Sequence, residues 1–360
     1  MVPGFFDNLR EVSEVKLRIL SSFLPPWGAK LGSIARRQNG VLWYVDGFAG
    51  TGRYNDGSDG SPLLGLHEAS QIRAANRGYS LSCFFIESNR NNWSTLDNLI
   101  DPYRTDVFHV RNERGEFSAL AGEINRTTSG SPILLFVDPF GIKPLVYSEF
   151  RQLLSRRSQI DLILTFQHTA IPRLAKDHPH LISQAIGTDA WLDGWDQLQG
   201  YARQTEHVLR FFSNNLRRDG DFFDVVNYPI RDHPDRAPKY FLVFASRHYD
   251  AFELWNDQVA QQETRLSQRQ YHNLIGQSNL LLQFDEEISG LSLINGIRAF
   301  ASTKDQFSRR DVVMHFVTNF WGAYHTCEIK KAVASMLTAG ELRREFTDGR
   351  KIDDAFMLIV

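Results

Sequence analysis

The chain has 360 residues, 42% hydrophobic and 23% charged, so it can bury full cores and is neither a disordered polymer nor a small disulfide-stapled scaffold. Its 40 basic and 42 acidic side chains leave a formal charge of -2, which excludes a strong overall pull toward nucleic acid or anionic lipid and leaves such binding to local patches. Two cysteines, Cys83 and Cys327, cannot supply a disulfide framework or a cysteine-rich metal site, and no apolar run approaches the roughly 18 residues of a membrane span, so a soluble protein of the reducing cytoplasm with no metal centre is expected.

Helical spacing of Val12, Val15, Ile19 and Leu20 predicts a helix over 9–24 that stops at Pro25-Pro26, with a second short helix over 29–37. The first strand, VLWYVD over 41–46, runs straight into Gly47-Phe48-Ala49-Gly50-Thr51-Gly52. A polar loop over 53–61 and a helix over 62–76 follow, with Pro62 in the first turn where its missing N–H is harmless. Further apolar runs of strand length lie at 81–86, 106–110, 132–137, 160–166, 223–228 and 240–245, making seven strands. Helical patterns separate them at 91–101, 116–125, 144–157, 181–186, 196–217 and 248–261. Strands apolar on both faces and alternating with helices predict a doubly wound α/β sheet, its last two strands close enough for an antiparallel return.

From 262 to 287 the composition turns to Gln, Asn, Arg and Ser, which reads as a linker or an exposed helix. Helical patterns at 290–301, 308–320 and 325–339, then two strands turning at Asp348-Gly349, predict a winged helix-turn-helix. The expected division is 1–262, 263–287 and 288–360. Between 298 and 354 ten basic residues meet eight acidic ones, and the pairs Arg309-Arg310, Lys330-Lys331, Arg343-Arg344 and Arg350-Lys351 form a candidate phosphate-binding face. Winged helices also dock proteins, so both partners stay open at this point.

The glycines at 47, 50 and 52 permit positive φ and a close backbone approach to a ligand at the carboxyl end of the first strand. Their spacing is not that of the dinucleotide fingerprint, and no phosphate-binding G-x-x-x-x-G-K-[ST] occurs. D-x-F-A-G-x-G over Asp46–Gly52 instead resembles the first motif of class I S-adenosylmethionine (SAM) methyltransferases, which implies that Asp46, Gly47, Phe48, Ala49, Gly50 and Gly52 wrap the amino-acid end of SAM. Glu87 closes the second strand, where a carboxylate can accept both ribose hydroxyls. Asn112, in the third strand's Arg111-Asn112-Glu113, is the candidate for the adenine amine.

The fourth strand enters Asp138-Pro139-Phe140-Gly141, which resembles the D-P-P-Y class of amino-methyltransferase motifs. The resemblance implies that Asp138 and the Pro139 carbonyl accept hydrogen bonds from a substrate amine while Phe140 stacks on its ring. Asp138 would equally serve to cap the next helix. After the fifth strand, Gln167 and His168 are candidate substrate contacts with Arg173 beyond them, and Arg53 and Lys16 are candidates for the cofactor carboxylate or an acidic substrate.

Lys16, Tyr44-Val-Asp-Gly-Phe-Ala-Gly50, Gly52-Arg-Tyr54, Gly60-Ser-Pro-Leu63, Phe85-Ile-Glu87, Asp138-Pro-Phe-Gly141 and Gly187 with Trp191 together resemble the bacterial three-Cys-motif partner family. That family is SAM methyltransferase-like, many members carry a winged-helix tail, and its name implies a companion protein bearing three cysteines. Two departures stand out: Thr51 replaces a common proline, and Asn112 stands where an Asp is expected. The expected activity is methylation of a nitrogen in a nucleobase or related heterocycle. A small-molecule methyltransferase and an inactive SAM-binding or nucleic-acid-binding regulator are the rival readings.

Overall fold

A strand that is apolar along its whole length has no face to give to water, so it must be covered on both sides. Ile133–Val137 (β4) is of this kind, and Val41–Asp46 (β1) and Ile160–Phe166 (β5), apolar but for Asp46, Asp161 and Thr165, are likewise buried almost throughout. The computed structural model describes residues 5–104, 109–231, 236–275, 292–345 and 355–358. The chain divides into two units, Met1–His248 and Tyr249–Val360. The break falls ahead of the expected domain end at 262.

The first unit begins with Phe5–Ala35 (α1), followed by β1, Ser61–Ala74 (α2), Ser80–Glu87 (β2), Arg90–Ile100 (α3), Val110–Arg114 (β3) and Phe117–Thr127 (α4). After β4 come Tyr147–Leu154 (α5), β5, Ile171–Asp177 (α6), Pro179–Ile186 (α7), Tyr201–Gly220 (α8), Asp224–Ile230 (β6) and Tyr240–Ser246 (β7). Seven strands form one sheet in the order β3-β2-β1-β4-β5-β7-β6, with only β7 antiparallel to its neighbours. This is the expected doubly wound, Rossmann-like α/β sheet. From β1 the chain winds outward through β2 to β3, then returns to β4 and winds the other way. The crevice between the carboxyl ends of β1 and β4 is the switch point where such sheets hold ligands.

On one face Phe23 packs edge-on to Phe244, Trp27 donates its indole N–H to Asp161 at 2.7 Å, and α2 comes so close that a Cβ on Gly65 would lie 2.3 Å from the Tyr44 ring. On the other face Phe117, Phe150, Val208 and Phe212 join Val45, Leu135 and Leu164 in one continuous core.

Two expectations change here. Pro25 and Pro26 do not end the first helix, because Phe23, Leu24 and Trp27 are all buried to within 2% and hold it to the sheet through the break in its hydrogen-bond ladder. The third strand, expected over 106–110, is described as VRNER, an edge strand over Val110–Arg114; residues 105–108 lie outside the described residues.

The second unit contains Tyr249–Ile275 (α9), a helix over 292–301 (α10), Phe307–Ser308 (β8), Arg309–Asn319 (α11), Thr326–Thr338 (α12), Leu342–Glu345 (β9) and Ala355–Leu358 (β10). Its three strands pair antiparallel in the order β8-β10-β9. α9 is bound to the α11–α12 turn: Asn256 donates to the Tyr324 carbonyl at 2.8 Å and accepts from the Gly322 N–H at 2.9 Å, while Asp257 accepts from the Thr326 N–H at 2.7 Å. The expected linker is therefore helical up to Ile275, and the turn at Asp348-Gly349 lies outside the described residues. Among the described residues no helix is long and apolar enough to cross a membrane.

Candidate active site

Parallel pairing sets Asp46 opposite Phe85 of β2 and Phe136 of β4, so the loop after β1 opens at the switch point. Backbone bonds tie it to both neighbours: the Gly47 N–H donates to the Phe136 carbonyl and the Ala49 N–H to the Ile86 carbonyl, each at 2.9 Å. Its three glycines serve different ends. A Cβ on Gly47 would sit 2.8 Å from the Phe117 ring, and one on Gly52, at φ +78°, would sit 2.7 Å from Leu96. Gly50, at φ +62°, has open space where its Cβ would be. Gly47 and Gly52 thus permit close packing, and Gly50 leaves the cradle open.

Asp46 is fully buried beneath this loop. It accepts from the Phe48 N–H at 3.1 Å and from the Tyr44 hydroxyl at 3.3 Å. Burial outweighs these bonds and pushes its carboxyl up to about 7, with the charge of nearby Asp138 adding to the rise. Glu87 braces the loop, accepting from the Gly50 N–H at 2.9 Å and from the Asn89 N–H at 2.6 Å. Each of its oxygens keeps a second lone pair for a hydroxyl.

Asp138 does not cap the following helix, which starts only at Tyr147; it forms an ion pair with Lys16 of α1. Both side chains are largely shielded, at 19% and 13% exposure, and the Lys16 ammonium lies 5.8 Å over the Tyr240 ring. Beyond Asp138 the Gly141 N–H donates to the Pro139 carbonyl at 3.0 Å, with Gly141 at φ +90°. The tight turn throws Phe140 outward, 96% exposed. Tyr54 and Tyr240 complete the surroundings: burial raises both phenols, and the charge of Asp138 raises them further. Tyr240 escaped notice in the sequence because it opens a strand far along the chain, whereas Tyr54 stood in the Gly52-Arg-Tyr54 segment of the resemblance without a role.

Three candidates make contacts other than those expected of them. Lys16 faces Asp138 rather than a cofactor carboxylate. Arg53 pairs with Asp59 at 3.3 Å across its own turn. Asn112 lies within β3, opposite Phe85, and its amide donates to the Trp93 carbonyl at 3.1 Å and to Asp97 at 3.2 Å, so the side chain is spent on α3. Its amide oxygen is buried with no partner among the described residues.

His168 is 1% exposed, between the Pro238 carbonyl at 3.1 Å and the Tyr201 hydroxyl. A carbonyl only accepts, so Nε2 carries the proton and Nδ1 accepts from Tyr201. Burial lowers the pKa of the ring, and both of its nitrogens are engaged within the protein. Gln167 sits just past β5, half-buried, and Arg173 is exposed on α6. No cluster of metal-ligating side chains occurs among the described residues.

The residues present fit the SAM that the sequence resemblance implies. A buried carboxylate with no cationic partner among the described residues suits a cation, which the α-ammonium and sulfonium of SAM would supply, and the open side of Gly50 leaves room for it.

No family model and no curated protein matches the chain. Among solved structures it is similar to the CurJ carbon methyltransferase (14% identity over 58% of this chain and 48% of that one, TM-score 0.31). It is also similar to an rRNA methylase from Streptococcus thermophilus (10% identity, 59% and 90% covered, TM-score 0.28). A third is SMU.1697c from Streptococcus mutans, solved in complex with SAH (9% identity, 57% and 88% covered, TM-score 0.28). The fold assignment rests on the strand order described above.

Proposed function

We propose that the first unit is a SAM-dependent methyltransferase acting on a nitrogen of a nucleobase or related heterocycle. The observation that carries this reading is the turn Asp138-Pro139-Phe140-Gly141, which holds a 96% exposed aromatic ring next to a carboxylate close enough to the Asp46 loop to raise the Asp46 carboxyl. When bound, SAM supplies an electrophilic methyl group on a sulfonium. The chain's own task is then positioning, because in-line displacement needs little acid or base help.

Asp46 and the Gly50 side of the loop receive the amino-acid end, and the spare lone pairs of Glu87 accept the ribose hydroxyls. Lys16 occupies one oxygen of Asp138, leaving the other to accept an N–H from the substrate amine, while Phe140 stacks on the ring that bears it. The Pro139 carbonyl, already accepting from Gly141, has one further lone pair for the same amine.

We read the second unit, with its order of helix, short strand, two helices and two strands, as a winged helix-turn-helix. Part of its basic face is internally engaged: Lys330 pairs with Glu253 at 2.8 Å and the Arg310 guanidinium lies 3.3 Å over the Tyr249 ring, while 350–351 lie outside the described residues.

Calorimetry with SAM and SAH, then transfer of tritium from labelled SAM to nucleic acid and nucleosides, tests the reading. Because the resemblance also implies a three-Cys-motif partner, transfer is assayed with and without one. Asp138→Ala should abolish transfer and leave SAM binding intact; loss of both would reduce Asp138 to a structural role. SAM binding with no transfer to any acceptor would favour a regulator.

A further inference from the structure

α8 and the edge strand β6 frame a groove of about 760 Å³ in the first unit. Its α8 wall runs at helical spacing from Tyr201 to Arg217, about 24 Å of helix at 1.5 Å per residue. Its β6 wall is every second residue from Val225 to Arg231, as a strand's alternation requires. β6 is the last strand of the sheet, so no neighbouring strand closes that side.

Four arginines, Arg210, Arg217, Arg231 and Arg236, line the groove against one carboxylate, Glu206. Two are braced: Arg217 by an ion pair with Asp224, Arg210 by the Phe211 ring at 5.4 Å and His207 at 3.2 Å. Arg210 and Arg217 stand two helical turns apart, about 10 Å along the axis. Guanidinium groups strung out in this way do not converge on one small anion; they suit a chain of repeating charges.

One end of the groove differs in character. Tyr201 and Phe241 line it there, with the buried His168 ring packed against both at centroid distances of 5.3 and 5.0 Å. His168 follows the carboxyl end of β5, and Asp138 follows that of β4, the adjacent strand. Rings stand at the reacting edge together with Arg231, one residue past the Ile230–Tyr240 pair, and Arg210 and Arg217 follow along α8; stacking and phosphate contacts on one track form the pattern of single-strand nucleic-acid sites. An acidic peptide would meet the arginines but would have no flat group for the rings.

We propose that this groove binds a single strand of nucleic acid, its phosphates along Arg210, Arg217 and Arg231 and a base against Tyr201 and Phe241, so that the strand leads to the edge where Asp138 stands. The purpose of the binding rests on the methyltransferase reading; the binding itself does not.

The test is fluorescence anisotropy of the full chain with a fluorescein-labelled single-stranded RNA, and its DNA equivalent, of about 16 nucleotides across a salt series. Replacing two phosphate contacts in R210Q/R231Q should reduce the slope of log K against log salt by about 1.4 and weaken binding at low salt on the order of tenfold. The charge-preserving R210K/R231K should keep most of the slope, which separates lost charge from lost folding. An unchanged slope in R210Q/R231Q, or a slope that moves only with K331Q/R343Q in the second unit, overturns the proposal. So does competition by polyglutamate equal, charge for charge, to that of the strand. SAM calorimetry on the same variants keeps the two readings apart: strand binding lost with SAM binding intact supports a separate groove, whereas groove-dependent RNA binding in a protein that never binds SAM removes only the methyltransferase reading.

Discussion

Asp46 offers a test whose sign and size both follow from its surroundings. The carboxyl is wholly buried, and burial pushes it up to about 7 from the ordinary 3.8. A folded-state value above the unfolded one means that the native protein holds the proton more tightly, so this group favours the fold most below about pH 3.8 and its contribution fades as pH rises toward 7. The whole difference is on the order of 4 kcal/mol, and about 2–3 kcal/mol of it falls between roughly pH 5 and pH 8.

Asp46→Asn removes the titration while keeping an acceptor for the Phe48 N–H and the Tyr44 hydroxyl. Urea unfolding of both proteins across that range should show wild type losing about 2–3 kcal/mol relative to the variant as pH rises. A bound cation reverses the pattern, because its charge draws the carboxyl back to the ionised form. SAM affinity of the wild type should therefore fall up to about tenfold for each pH unit below 7, and calorimetry in two buffers of different ionisation heat should show proton release on binding. A stability difference that stays flat between roughly pH 5 and pH 8 would falsify the premise that Asp46 is a desolvated carboxylate awaiting a cation.

Phe140→Ala should leave the unfolding free energy within about 0.5 kcal/mol, because the ring is 96% exposed, while transfer to the acceptor drops; a large loss of stability in denaturant would show that the ring packs rather than waits. Gly47→Ala should cost about 1–3 kcal/mol, since the new methyl meets the Phe117 ring at 2.8 Å, and the same melt measures it. Gly50→Ala meets nothing but must hold φ +62°, so a smaller cost of about 1–2 kcal/mol is expected, with a disproportionate loss of SAM affinity by calorimetry. Lys16→Met strips the Asp138 carboxylate of its partner; about 1–3 kcal/mol of stability and most of the transfer activity should go, and Lys16→Arg should restore part of each.

β1, β4 and β5 were legible because each is an apolar run broken by at most two polar residues, as a strand covered on both faces must be. β3 was not, for the opposite reason. At the sheet edge VRNER needs little apolar surface: Arg111 lays its guanidinium 5.2 Å over Phe84 and pairs with Glu113 and Glu123, and Asn112 turns into α3, so a polar segment forms the strand. Pro25-Pro26 read as a stop because local rules govern an isolated helix, whereas here buried Phe23 and Trp27 hold α1 on both sides of the prolines. α9 outran its expected end at 261 because that end was read from composition, and the Gln- and Arg-rich stretch beyond it is helical up to Ile275. Within the candidate site the glycine loop and the Asp138 turn announce themselves in consecutive residues, but the ion pair that holds Asp138 joins positions 122 apart and leaves no local pattern to find.

That pair changes how the site should be understood. β1 and β4 are neighbours only because the winding reverses between them, and the reversal puts two carboxylates, Asp46 and Asp138, within reach of each other's charge. Like charges at a shielded site cannot both stay ionised without compensation. α1, which lies outside the alternating strand-helix pattern, brings one lysine, and that lysine goes to Asp138. Asp138 is thereby paired and aimed by α1, while Asp46 is left to take a proton or a cation. On the reading proposed above, the cation of the cofactor goes to Asp46, the group received at Asp138 need carry no charge, and a neutral aromatic amine suits the exposed Phe140 better than an alkylammonium would. A competition series makes the point measurable: neutral aminoheterocycles should inhibit transfer, and alkylammonium ions of similar size should not unless Lys16 is first replaced by methionine.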